Sequence, residues 1–135
     1  MSYVLGASVL WALMKGRSSV IQRLERTERK DVLVPQPVVA EIAFGIERLP
    51  RSERKDQLAK LLRDVRRTFG VAMWNDAVTD HYARARAALD ARGLRMRDVD
   101  VAVAAHALAL DAVLVTANRS RMSRVPGLRV EDWSR

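Results

Sequence analysis

The side chains that could do oxygen chemistry lie far apart along the chain. Glu41 stands among Val38, Val39, Ala40, Ile42 and Ala43. A carboxylate in such apolar company is costly unless it is paired or binds a metal; the alternative is a helical Glu that points to solvent. Asp100 directly precedes Val101-Ala102-Val103-Ala104-Ala105-His106-Ala107, and Asp98 lies two residues earlier. An Asp at a helix start caps free N–H groups, and a buried helix start also suits a metal-bound, anionic phosphate. Both readings stand. Thr116 and Asn118 follow the apolar run Leu114-Val115, as crevice residues or as ordinary loop chemistry.

Other chemistries lack their residues. There is no cysteine, which excludes disulfide scaffolds, zinc–cysteine sites and thiol catalysis and points to a reducing cytoplasm. Gly6-Ala7-Ser8 is not a phosphate loop, and no serine has the G-x-S-x-G setting of a hydrolase. His81 and His106 fall on apolar helical faces and read as packed, hydrogen-bonded core residues. Trp11, Trp74 and Trp133 read as core or interface, since they are not interleaved with Arg in a base-stacking pattern. No helix-turn-helix pattern stands out.

The chain has 135 residues, enough for one ordinary domain with a real core, and is 49% apolar and 30% charged. No apolar run reaches the length of a membrane span, and the first residues lack the basic region of a signal peptide. Lys and Arg number 24 against 16 acids, a net charge of +8; 20 of the 24 are Arg. A guanidinium grips phosphate or carboxylate bidentately, so a polyanionic partner is one explanation. A GC-rich coding genome is the other.

The elements that must position these groups alternate. Tyr3–Leu5 predicts a strand, and Ser8 the cap of a helix with Val9, Leu10, Leu13 and Met14. Arg23–Lys30 reads as a solvated helix or turn. Val32–Val34 predicts a strand closed by Pro35 and Pro37, and Val38–Arg48 a helix. After Pro50, Ser52 caps a helix with Leu58, Leu61, Leu62 and Val65 inward, which Gly70 ends. Val71–Trp74 predicts a strand, and Asn75 or Asp76 the cap of a helix that stops at Gly93. Asp98 or Asp100 opens a buried helix over Val101–Leu110. Ala112–Val115 predicts a strand, Ala117–Ser123 a polar loop, and Leu128, Val130 and Trp133 a last short strand. Strand–helix alternation implies an α/β fold, a parallel sheet covered on both faces. Its ligand crevice lies at the carboxyl ends of the strands, just after Leu5, Val34, Trp74 and Val115.

Several segments then line up in order: Tyr3-Val4-Leu5-Gly6-Ala7-Ser8-Val9-Leu10, Val38 to Arg48 around Glu41, Asp100 with Val101 to Ala107, Leu114-Val115-Thr116-Ala117-Asn118, and Val125-Pro126-Gly127-Leu128-Arg129-Val130. Together they resemble the PIN-domain ribonucleases, and within them the VapC toxins of toxin–antitoxin pairs. The resemblance implies a three-layer domain over residues 1–135 and a metal-dependent endoribonuclease holding Mg²⁺ or Mn²⁺. Glu41 and Asp100 match the family's acids, Asn118 its last acidic position, and Thr116 a polar positioning residue, with Asp98 a further acid. It also implies a VapB-type antitoxin, an RNA substrate and a homodimer. Arg95, Arg97, Arg119 and Arg121 are then expected to guide the RNA backbone. The family's first metal-binding Asp falls at Gly6, which offers no side-chain oxygen. Impaired cleavage is one expectation; a PIN-like module that binds antitoxin or RNA without cutting is the alternative.

Overall fold

A computed structural model describes residues 1–134. Five strands, β1 (Tyr3–Leu5), β2 (Val32–Pro35), β3 (Gly70–Ala72), β4 (Val113–Val115) and β5 (Val130–Glu131), form one sheet in the order β3-β2-β1-β4-β5. Every pairing is parallel. Seven α-helices and one 3-10 turn (Arg29–Asp31) accompany them among the described residues: α1 (Ala7–Met14), α2 (Ser18–Glu25), α3 (Gln36–Glu47), α4 (Glu53–Thr68), α5 (Asp76–Ala91), α6 (Asp98–Ala109) and α7 (Arg119–Met122). This is the expected α/β sheet flanked by helices.

The central strands are continuous in apolar residues because both of their faces are covered. Val4, Leu5, Val34, Leu114 and Val115 are fully buried, which matches the continuous apolar runs of a parallel sheet. Helix α6 is the buried helix its composition demands: Val101 through Ala107 are all inaccessible, and α5 and α6 pack together. Small alanines at 102, 104, 105 and 107 permit close approach of the neighbouring elements.

Several boundaries differ from expectation. Helix α1 begins at Ala7, with Gly6 as its N-cap; the Gly6 carbonyl accepts from Leu10 N–H at 3.0 Å. Ser8 is thus inside the helix, and its Oγ accepts from Ala117 N–H at 3.2 Å instead. Helix α2 was hidden by its charged neighbours; its apolar set is only Val20, Ile21 and Leu24. Helix α3 starts at Gln36, because a proline is tolerated in a first turn that has no N–H partner anyway. Gly70 pairs with Leu33 inside β3 rather than ending α4. A Cβ there would meet Leu33 Cδ2 at 3.2 Å, so the glycine serves close packing. Met73 and Trp74 lie beyond the strand and are exposed. Helix α6 starts at Asp98, with Arg97 as N-cap, so Asp100 is a first-turn residue and not the cap. The polar loop after β4 contains the helical turn α7. The caps at Ser52 and Asn75 are as expected, each accepting from the N–H three residues on, and Gly93 adopts the positive φ of a helix stop.

The carboxyl-terminal end is pinned to the first strand. Trp133 is fully buried and tilts against Tyr3 with ring centroids 5.2 Å apart. The Glu131 carboxylate accepts from the Trp133 indole N–H and from Arg23, each at 3.0 Å.

His106 is buried as expected but is not hydrogen-bonded. Neither ring nitrogen has a partner among the described residues; the ring stands perpendicular to Trp74, with ring centroids 5.8 Å apart. Burial pushes its pKa below the ordinary value of 6.5. The folded state then takes up the proton at lower pH than the unfolded chain does. Stability is therefore lost as pH falls below about 6.5, down to the folded pKa. In His106→Leu the decline in melting temperature between neutral pH and pH 5 is expected to be shallower than in the parent; thermal unfolding at several pH values measures it.

Candidate active site at the carboxyl ends of the strands

In the strand order, β1 connects toward β2 on one side and pairs with β4 on the other. The direction of winding reverses beside β1, where parallel sheets open a crevice. The chain leaving β1 supplies Gly6, and its N–H donates to the Val115 carbonyl at 2.9 Å. The chain leaving β4 supplies Thr116, which is buried, with its Oγ1 accepting from Asn118 N–H at 3.1 Å. The chain leaving β2 enters α3 and carries Glu41, while the first turn of α6 carries Asp100. A hollow of about 230 Å³ results, lined by Gly6, Ser8, Glu41, Asp100, Thr116 and Asn118 together with Trp11 and Arg97.

The two carboxylates are joined by one guanidinium. Arg97 Nη2 donates to Glu41 Oε1 at 3.1 Å and to Asp100 Oδ1 at 3.2 Å. Its Nε donates to Asp100 Oδ2 at 3.3 Å. A second arginine, Arg121, approaches Asp100 Oδ2 at 3.8 Å. The acids are sheltered, with 27% and 17% of their side chains exposed against 60% for Arg97. Hydrogen bonding to Asp100, followed by its charge, raises the Arg97 pKa above its ordinary value. Two anions held this close repel unless a cation stands between them, and here the protein supplies it.

The expected residues divide cleanly. Glu41, Asp100, Thr116, Asn118 and the Gly6 backbone share the hollow. Asp98 does not: its side chain is 89% exposed and pairs with Arg86. Among the basic residues expected to guide RNA, Arg97 and Arg121 are turned onto the acids. Arg95 lines an adjacent hollow with Arg97, Arg121 and Arg124, and Arg119 lies in another beside Asp132. Reading the sequence missed Trp11 and the bridging role of Arg97. No local signal announced either one, because each acquires its place only when α1, α3 and α6 converge.

The donor set is one of hard oxygens: two carboxylates, the Asn118 amide and the Thr116 hydroxyl. Mg²⁺ is commonly held by one or two carboxylates together with waters and phosphate oxygens, so the residues fit such an ion once Arg97 swings out. The set is nonetheless thin: among the described residues no three His, Cys, Asp or Glu side chains converge on one point. At Gly6 the backbone is ordinary and extended, with φ −76°. A Cβ there would face Thr116 at 3.5 Å and the Val115 carbonyl at 3.1 Å. A side chain there requires the Val115 carbonyl, which the Gly6 N–H itself holds at 2.9 Å, to give by a few tenths of an ångström.

With this geometry in view, likeness to known proteins becomes informative. Residues 3–128 match the PIN domain family. The chain belongs to it. Ribonuclease VapC1 of Haemophilus influenzae is 29% identical over the full length of both chains, and ribonuclease VapC2 of Rickettsia felis is 27% identical, also end to end. The solved structure of VapBC2 from Rickettsia felis, bound to a DNA fragment from its promoter, superposes with a TM-score of 0.88 at 28% identity, covering 98% of this chain and 99% of that one. The chain is thus a PIN domain, similar along its whole length to VapC ribonucleases, as its motifs suggested.

A double-mutant cycle tests the bridge. Arg97→Gln and Glu41→Gln should show a coupling of about 0.5–1 kcal/mol in denaturant unfolding, modest because Arg97 is largely solvated. Asp98→Asn should change stability by less than about 0.5 kcal/mol. Zero coupling would mean that the bridge does not form in solution.

Proposed function

We propose that this PIN domain is a VapC-type endoribonuclease toxin that hydrolyses RNA phosphodiesters with the help of Mg²⁺ or Mn²⁺, and that Gly6 impairs it. The observation that carries the reading is the convergence of Glu41 and Asp100, 59 positions apart in sequence, on one point at the strand ends. The chemistry such an ion would supply, if bound there, is Lewis-acid polarisation of the phosphodiester and a more acidic bound water. Glu41 and Asp100 would hold that ion, and Asn118 would add a neutral oxygen. Thr116 keeps the Asn118 loop in place through its hydrogen bond to Asn118 N–H. Arg97, freed from the acids, is positioned to meet a substrate phosphate.

Gly6 removes one anionic oxygen from this set. Weaker cation retention and a rate loss of roughly a hundredfold or more follow from losing a metal-orienting group. The second reading, a non-cleaving module that binds antitoxin or RNA, is favoured by Gly6 together with the Arg97 cation already seated between the acids. The partners would be a VapB-type antitoxin and a second copy of the chain. The structures from Rickettsia felis and from nontypeable Haemophilus influenzae are both VapBC complexes, and the net charge of +8 suits an acidic partner or RNA. Among the described residues no helix is long and apolar enough to cross a membrane; together with the absence of cysteine, this supports a cytoplasmic setting.

Gly6→Asp is expected to raise Mg²⁺- or Mn²⁺-dependent cleavage of single-stranded RNA by roughly a hundredfold. A folded Gly6→Asp protein that cuts no RNA with either ion would leave only the binding-module reading. Arg97→Ala should also let Mn²⁺ in the millimolar range raise the melting temperature more than it does in the parent, since the ion no longer competes with a tethered guanidinium. An equal shift in both proteins would show that Arg97 does not occupy the cation's place.

A further inference from the structure

The site hollow does not end at the acids. It shares Trp11, Glu41 and Arg97 with a second, larger groove of about 660 Å³, which runs between α1, α3 and α4 and is also lined by Lys15, Phe44, Arg48 and Arg54. Two aromatic rings stand along it. Phe44 is 64% exposed, unusual for a residue of its size on a packed helix. Trp11 is half-buried against α3. Room for its indole comes from Gly45, where a Cβ would meet Trp11 Cζ2 at 3.0 Å. A glycine in mid-helix costs about 0.5–1 kcal/mol relative to alanine, and here it allows the ring to lie against the helix backbone.

Each ring is attended by a cation. Lys15 Nζ lies 5.5 Å from the Trp11 ring centroid, and the Arg48 guanidinium lies 5.7 Å from that of Phe44. Among the described residues, Lys15, Arg48 and Arg54 pair with no carboxylate. The acid on the groove wall, Glu41, is already matched by Arg97. Lys55, by contrast, is occupied in holding the Glu47 and Leu49 carbonyls at the end of α3.

We propose that this groove is a subsite for single-stranded RNA. Phe44, the exposed ring, stacks on a base, the partly buried Trp11 forms the groove wall beside it, and Lys15, Arg48 and Arg54 hold the adjoining phosphates. The proposal rests on the ribonuclease reading and extends it to where the strand goes on leaving the acids. Rings interleaved with unpaired cations are how single strands are gripped without reading their sequence. A protein helix docking here would need acidic groups at several cation positions together with apolar residues over both rings, whereas a polynucleotide supplies a flat base and an anion at every step.

The test is binding of a fluorescein-labelled single-stranded RNA decamer, followed by anisotropy with a chelator present so that no cleavage occurs. Phe44→Ala should weaken binding by about fivefold or more, from the usual worth of one base stack, and Phe44→Tyr should restore it. Arg48→Ala with Arg54→Ala should flatten the dependence of log affinity on log salt by about 0.7 per cation removed. On a ribose-phosphate decamer lacking bases, the Phe44→Ala loss should vanish while the arginine effect stays. Each variant is compared with the parent by circular dichroism, and Phe44 is exposed enough for the fold to survive its removal. Unchanged RNA affinity and salt slope in these variants would overturn the proposal, as would a Glu-rich helical peptide that needs Phe44 while RNA does not. The two readings fail separately. RNA cut by the Gly6→Asp protein without any Phe44 dependence removes the groove alone. RNA gripped through Phe44 but never cut by the Gly6→Asp protein removes the ribonuclease and leaves the groove.

Discussion

A single guanidinium between two carboxylates organises the carboxyl edge of this sheet. Glu41 comes from α3, Asp100 from the first turn of α6, and Arg97 from the residue that caps α6. Two sheltered anions at this separation repel, and the cost grows as water is excluded. Some cation must therefore stand between them. The protein provides one that is tethered and largely solvated.

Placement of that pair follows from the central position of β1. With β2 on one side and β4 on the other, the residues leaving β1 and β4 meet at Gly6 and Thr116. Position 6 thus lines the hollow, and glycine leaves it without a side-chain oxygen. The rest of the architecture is intact around the gap: Ser8 still ties α1 to Ala117, and Thr116 still holds the Asn118 loop. Glycine at this position therefore leaves the local hydrogen bonding in place and contributes no side-chain charge to the hollow.

The arginine excess is also not uniform in its use. Arg23 secures Glu131 beside the Trp133 indole, Arg86 holds Asp98, and Arg97 and Arg121 face Asp100. Those that remain unpaired beside exposed rings, Arg48 above all, are the ones free to meet an external anion. A net charge of +8 is thus a poor guide to where a polyanion sits; the local pairing of each guanidinium decides it.

By itself the sequence determined the class of fold, and through its resemblance to the PIN domains it offered Glu41, Asp100 and Asp98 as candidate acids. Alternating apolar runs implied a parallel sheet, the apolar run Val101–Ala107 implied an inner helix, and Glu41 in apolar company pointed to a partner or to solvent. These are local consequences of periodicity and desolvation, which need no knowledge of neighbours. Helix starts came out less well, since Gly6, Pro35 and Arg97 cap their helices without any side-chain signal. The tertiary structure alone decided that Asp98 turns away while Asp100 turns in, that Arg97 bridges the acids, and that Trp11 and Phe44 line one groove across Gly45. The reason is geometric. Helix positions two apart, such as 98 and 100, differ by about 200° in direction, and a long arginine reaches whichever anion the packing of other elements brings near.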